Sequence, residues 1–166
     1  ILFDTSGCIA GATVEKYLLE KTRVQHQIEG ERNFHIFYQL LYGADAELKG
    51  KLCLSIDDSP ADFRYLVGTE SVLSGSSTTD GKDFDVTKDC LRAAGVNKAQ
   101  IEELFQLVAG VLHLGNIVFE VDEATGDVVD VVSGAARDAL ERAASTLGLD
   151  AEHILSALTK RSMHVG

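Results

Sequence analysis

The clearest hydrophobic pattern in the chain is formed by Phe34, Phe37, Tyr38 and Leu41, which recur at i, i+3, i+4 and i+7 and so share one face of an α-helix. Ile36 and Leu40 widen the stripe. Burying each such group contributes roughly 1.5 to 3 kcal/mol, so the pattern predicts a deeply packed helix around which the rest is organised. Gly43 stands where a helix can end in the left-handed conformation. A longer pattern starts at Asn97, with Gln100 three residues on, and runs through Ile101, Leu104, Phe105, Val108 and Leu112. Leu107 and Val111 make this second helix apolar on more than one side, as expected of a helix inside a domain.

Shorter elements fill the remainder. Ile1 to Phe3, a turn at Asp4 to Gly7, and a run from Ile9 to about Leu18 predict two strands, with Gly11 admitting a bulge or a close backbone approach. Two strands alone are marginal in water, so this pair requires a larger sheet. Arg23 to Gly30 reads as a connection and Ala46 to Lys51 as a short helix. Ser59-Pro60-Ala61-Asp62 is a capped helix start with Phe63, Leu66 and Val67 on the apolar face before Gly68. Gly68 to Lys82, rich in Gly, Ser and Thr, predicts a surface loop; Asp83 then caps a helix with Phe84, Thr87, Leu91 and Ala94 inward and Gly95 at its end. Ile117 to Val121 and Val128 to Val132 flank Asp122-Glu123-Ala124-Thr125-Gly126-Asp127 as a β-hairpin. Helices from about Gly134 to Leu147, with Ala136, Leu140, Ala144 and Leu147 inward, and from Ala151 to about Leu158, capped by Asp150, complete an α+β chain that is predominantly helical.

Length and charge narrow the classes. A chain of 166 residues with 45% hydrophobic content can bury one full core, and its net charge of −11 argues against non-specific binding to nucleic acid, which needs a surface of lysine and arginine. No run approaches the roughly 18 apolar residues of a membrane span. The chain opens on Ile-Leu-Phe without an initiator Met and stops at Gly166 just after a helical pattern, so it reads as a segment cut from a larger protein. Cys8, Cys53 and Cys90 are odd in number and far apart, which predicts reduced, mostly buried thiols in the cytosol and no zinc site.

Candidate chemistry is sparse. Gly75-Ser76-Ser77-Thr78-Thr79-Asp80-Gly81-Lys82 has the composition of a phosphate loop, but five residues separate its glycines instead of four, and Asp83 stands where Ser or Thr should follow the lysine. A carboxylate there repels phosphate, so the stretch reads as a surface loop. His113 lies near the end of the long helix, where a cationic imidazole would suit the dipole, and no partner ligands stand at metal spacing; it reads as a packed or capping histidine. Asp57, Asp58 and Asp62 read as solvated acids, and Asp122 to Gly126 as a solvated turn without the alternating ligands of a calcium loop. No nucleophile with a base and no paired acids in a local motif are present.

The residues also carry a family pattern. Gly7, Ile9, Gly11-Ala12, Tyr17-Leu18-Leu19-Glu20-Lys21 and Arg23-Val24, then Glu31-Arg32-Asn33-Phe34-His35-Ile36-Phe37-Tyr38-Gln39-Leu40-Leu41 and Leu112-His113-Leu114-Gly115-Asn116-Ile117, closely resemble the myosin motor domain over the whole chain. The resemblance implies a fragment of the P-loop α/β motor fold lying between its two nucleotide switches, switch I ending shortly before Ile1 and switch II following Gly166. Residues 1–20 would then be transducer strands of the central sheet, and 21–166 the upper wall of the actin-binding cleft. It further implies ATP and Mg2+ as cofactors of the intact motor, bound outside this segment, with the actin filament and the remainder of the heavy chain as partners. The setting implied is cytoplasmic and cytoskeletal. The loop at Asp122, Glu123, Ala124, Thr125 and Gly126, and the one starting at Lys160 and Arg161, would face actin. Actin is itself acidic, so such contacts must be local against a mildly repulsive field. The alternative is a free-standing, non-enzymatic helical interaction module.

Overall fold

The computed structural model describes residues 1–13, 15, 20–68, 77–126, 128–131 and 134–160. Its centre is helix α1 (His35–Gly43), in which Phe37, Tyr38, Leu40 and Leu41 are buried. Phe34 departs from the expected stripe. It precedes the helix with extended backbone (φ −55°, ψ 132°), remains 39% exposed, and meets Phe37 only edge to face, with ring centroids 6.5 Å apart. Gly43 also differs from expectation: it is the last helical residue, and extended Ala44 ends the helix. A Cβ on Gly43 would lie 2.4 Å from the Cβ of Phe84, so glycine here permits close helix packing.

Phe84 belongs to α3 (Ser77–Ala93), which follows the short helix α2 (Ala46–Lys51) and a single 3-10 turn at Pro60–Asp62. Asp45 caps α2 by accepting from Leu48 N at 2.8 Å. Helix α3 starts six residues before the expected cap at Asp83, so the predicted loop is helical from Ser77 onward. Tertiary contacts override the weak helix propensity of this Ser/Thr/Gly stretch. Asp80 is held by Arg32, and Gly81 lets the helix approach the Tyr42 carbonyl, which would lie 3.2 Å from an added Cβ. Thr87 donates to Gln39 Oε1 at 2.8 Å and Leu91 is half-buried, whereas Ala94 is exposed and lies beyond the helix. Val67, expected on an apolar face, is exposed, while Phe63 and Leu66 are buried.

Helix α4 (Lys98–Gly115) begins with the expected reciprocal cap: Asn97 Oδ1 accepts from Gln100 N and Gln100 Oε1 from Asn97 N, both at 3.0 Å. Ile101, Phe105, Ala109 and Leu112 join α1 and α3 in a first hydrophobic cluster with Leu52, Leu54, Phe63, Leu66 and Phe84. The other side of α4, expected to be interior, faces solvent: Leu104 is exposed and Leu107 is 57% exposed.

Strands β1 (Leu2–Phe3) and β2 (Ile9–Gly11) pair antiparallel through a turn in which Asp4 Oδ1 accepts from Ser6 N and Cys8 N. The ladder is irregular between Leu2 and Phe3, opposite Gly11 and Ile9. β2 ends at Gly11, short of the expected Leu18; residues 14 and 16–19 lie outside the described set. Leu2, Phe3 and Ile9 are all exposed. The second hairpin, β3 (Phe119–Val121) with β4 (Val128–Val131), pairs Phe119 with Val131, Glu120 with Asp130 and Val121 with Val128.

Helices α5 (Ala135–Leu147) and α6 (Ala151–Thr159) close a second cluster of Ile117, Ala136, Ala139, Leu140, Ala144 and Ile154. Gly148 takes the left-handed conformation (φ +65°) that stops α5, and Asp150 Oδ1 accepts from His153 N to start α6. The thiols correct one expectation: Cys8 and Cys90 are exposed and Cys53 is half-buried. None of the three belongs to either hydrophobic cluster. No helix among the described residues is long and apolar enough to cross a membrane.

Candidate functional site

The residues predicted to face a partner occupy two places supported by the second cluster. Asp122, Glu123, Ala124, Thr125 and Gly126 form the exposed tip of the β3–β4 hairpin. Asp122 organises that tip: its Oδ1 accepts from Ala124 N at 2.8 Å and its carbonyl from Gly126 N at 2.7 Å, while Gly126 supplies the positive φ (+75°) the reversal requires. One oxygen of the Asp122 carboxylate is thus held by the Ala124 N–H, and Glu123 is exposed. Lys160 is exposed directly after α6, its N–H donating to Ser156 O at 3.0 Å. Arg161 lies outside the described residues. Helix α6 packs on α5 and on β4, and Ile154 with Leu155 share the second cluster with Phe119. Hairpin and last helix therefore rest on one apolar support.

Two residues that carry the fold's main polar anchor were missed by sequence reasoning. Arg32 Nη2 donates to Asp80 Oδ2 at 2.6 Å and Nη1 to Oδ1 at 3.3 Å, a two-pronged pair between largely buried groups 48 residues apart. The guanidinium also stacks 3.9 Å above the Tyr38 ring, while its buried Nε has no hydrogen-bond partner among the described residues. Burial, followed by the Asp80 charge, raises the Tyr42 phenol above its ordinary value. Asn33, buried beside Arg32, donates to Val24 O at 3.0 Å and Tyr65 O at 2.9 Å and accepts from Phe34 N; Tyr38 Oη accepts from Asn33 N at 3.1 Å. Arg32-Asn33 thereby ties the segment before α1 to three other parts of the chain. The signal available in sequence was an Arg-Asn pair directly ahead of an apolar helix.

Arg23 forms the neighbouring knot. It donates to Glu20 at 2.8 Å and Glu31 at 2.7 Å, and these hydrogen bonds hold its pKa above the ordinary value. His113 is 2% exposed. Its Nε2 lies 2.9 Å from Leu52 O, an acceptor, so Nε2 carries the hydrogen. Burial depresses its pKa, so the ring is neutral near pH 7 and not the dipole-stabilising cation that its helix position allowed. The packed-histidine expectation holds. Of the acids expected to be solvated, Asp58 accepts from Ser55 N at 2.7 Å and Asp62 from Ser59 N and Oγ at 2.8 Å, bonds that lower the Asp62 pKa.

A nucleotide does not fit the one stretch with phosphate-loop composition. Residues 77–82 are helical, Gly81 faces the Tyr42 carbonyl, and the Asp80 carboxylate pairs with Arg32 and would repel a phosphate, while residues 75 and 76 lie outside the described residues.

With this architecture in view, comparison places the chain in a class of mechanochemical proteins. The family described as myosin head (motor domain) matches residues 1–166, and the chain belongs to that family. It is 38% identical over 161 residues to unconventional myosin heavy chain 6 of Caenorhabditis elegans, covering 97% of this chain and 7% of that protein. Myosin-K heavy chain of Dictyostelium discoideum is 36% identical over 166 residues, all of this chain and 18% of that protein. Unconventional myosin-Ic of Aquarana catesbeiana is 43% identical over 123 residues, 74% of this chain and 12% of that protein. The chain thus spans less than a fifth of the length of these relatives.

Proposed function

We propose that the chain is the part of an actin-based motor that contributes transducer strands (residues 1–20) and the upper wall of the actin-binding cleft (residues 21–166) to a polypeptide that couples ATP hydrolysis to movement along actin. The observation that carries this reading is the family match across every residue of the chain. The exposed Leu2, Phe3 and Ile9 of the first hairpin support it, because an apolar two-stranded ribbon requires further strands and the rest of a heavy chain would supply them. ATP and Mg2+ supply the phosphoryl-transfer chemistry of the parent protein. No step of that chemistry is assigned to residues of this segment. Its role is mechanical: the first cluster moves as a unit and, through α4, takes with it the second cluster, which bears the hairpin tip at Asp122 to Gly126 and the region at Lys160 and Arg161, toward or away from the filament, since a close-packed core transmits displacement instead of compressing. The setting follows as cytoplasmic and cytoskeletal.

The test is actin-activated Mg-ATP turnover by the full-length parent chain, wild type and Glu123→Lys. Reversing this exposed acid, which leaves the Asp122 bonds that shape the turn in place, lowers the actin concentration for half-maximal activation roughly two- to fivefold and leaves basal turnover unchanged. An unchanged actin dependence removes the hairpin from the interface. A parent chain whose ATP turnover ignores actin overturns the motor reading itself.

A further inference from the structure

The segment from Leu52 to Arg64 lies as a strap across the end of α4, fastened there by two side chains one helical turn apart. Asn116 holds its far end, accepting from Arg64 N at 2.9 Å and donating to Asp62 O at 2.8 Å. His113 holds its near end through the Leu52 carbonyl, which also accepts from Thr146 Oγ1 of α5 at 3.3 Å. Leu52 is the first residue after α2 and is followed by Cys53 in the left-handed region (φ +55°), an unfavourable conformation for a residue with a side chain. The fastening thus joins α2, α4 and α5 at one carbonyl, on the boundary between the two hydrophobic clusters.

A cleft of about 320 Å³ opens between the strap and α5 and reaches His113. Phe63 covers the ring on another side, its centroid 6.1 Å away. The charged groups that line the cleft are Asp58, Asp62 and Arg64 from the strap and Asp138 and Arg142 from α5. On α2, Lys49 is engaged with the strap itself, donating to Ile56 O at 3.1 Å. Burial disfavours the imidazolium most strongly; Arg142 adds repulsion, while the Leu52 bond and the Asp58 charge oppose these.

We propose that His113 is a proton-sensitive latch: acidification breaks the His113–Leu52 fastening and loosens the 52–64 strap, whose buried Leu52, Leu54 and Phe63 belong to the first cluster, more than it loosens α1 and α3. Water reaches the ring through the cleft, and an imidazolium is accommodated once the strap lifts and the charge is solvated. Asn116 and Thr146 have no ionisable group, so they fasten the strap equally at all pH values. The sign follows from the neutral buried ring: the closed state is fully favoured above the ordinary histidine pKa of about 6.5 and loses ground as pH falls below it. Between pH 6.5 and 5.5 the opening constant rises by at most about fivefold, and the rise ends where the folded-state pKa is reached.

Hydrogen exchange of the full-length chain, read by mass spectrometry and corrected for intrinsic rates, tests this directly. Peptides covering residues 52–64 and 135–147 should lose protection as pH falls below 6.5, by up to about fivefold by pH 5.5, while peptides covering 35–43 should lose less. His113→Gln keeps an N–H donor for Leu52 O without a titrating group and should flatten the pH dependence. Exchange of the imidazole C2 hydrogen in the wild-type protein should report a His113 pKa below 6.5, whatever the variant's folding yield. Strap protection that is insensitive to pH, an unchanged pH profile in the glutamine variant, or an ordinary His113 titration overturns the latch. None of these outcomes bears on whether the parent polypeptide is a motor.

Discussion

The two hydrophobic clusters are built from different materials. The first brings together Phe37, Tyr38, Phe63, Phe84 and Phe105 with six leucines and Ile101, and it is braced by Arg32 and Asp80. The second has Ile117, Leu140 and Ile154 as its large buried groups, and the remainder are alanines. Large rings bury more area per residue and fix their neighbours through shape, whereas alanines let backbones come close with less area removed from water. The contrast marks the α1–α3 region as the rigid part and the α5–α6–hairpin region as a lighter unit attached to it through α4. Elements that present a loop to a partner are expected at the less stable end of a molecule.

Substitutions can break this contrast, and the largest effect should come from the first cluster. Phe84→Ala removes a fully buried ring and should destabilise by about 3 to 5 kcal/mol, read as loss of exchange protection in α1 and α3. Protection in α5 and α6 should fall less. Equal losses in both would show one cooperative unit and erase the distinction. A smaller effect is expected at the junction of the two clusters. A Cβ on Gly110 would lie 2.3 Å from Leu147 Cδ2, so Gly110→Ala should force α4 and α5 apart at a cost of about 1 to 3 kcal/mol, visible chiefly in α5. The smallest effect sharpens the lighter side alone: Asp150→Ala removes the α6 cap and should cost about 1 kcal/mol, confined to amides of residues 151–159.

Local chemistry was legible in the sequence wherever neighbours in the chain decide the structure. The caps at Asn97–Gln100 and Asp150, the α2 boundaries and the stop at Gly148 follow from backbone donors within a few residues. The stripe Phe37, Tyr38, Leu40 and Leu41 followed from periodicity. What escaped depends on partners far along the chain. The start of α3 is set by Arg32 and Tyr42, more than thirty residues upstream of Asp80 and Gly81, and no local pattern in Ser77 to Lys82 announces a helix. Gly43 could be placed at a helix end but not against Phe84, because the crossing partner is invisible to spacing. The exposure of Leu104 and Leu107 shows the same limit: composition says a face is apolar, and only packing says what covers it. The candidate contact residues were legible as a turn from Asp122 to Gly126; their support on the second cluster was not.

The crossing at Gly43 has a mechanical corollary. Where the backbone of one rod lies directly on the ring of another, there is no layer of pliable methylenes to absorb a push. Force applied along α1 reaches α3 with little slack. The pair behaves as a single stiff plate, able to tilt about that point of contact but not to shear.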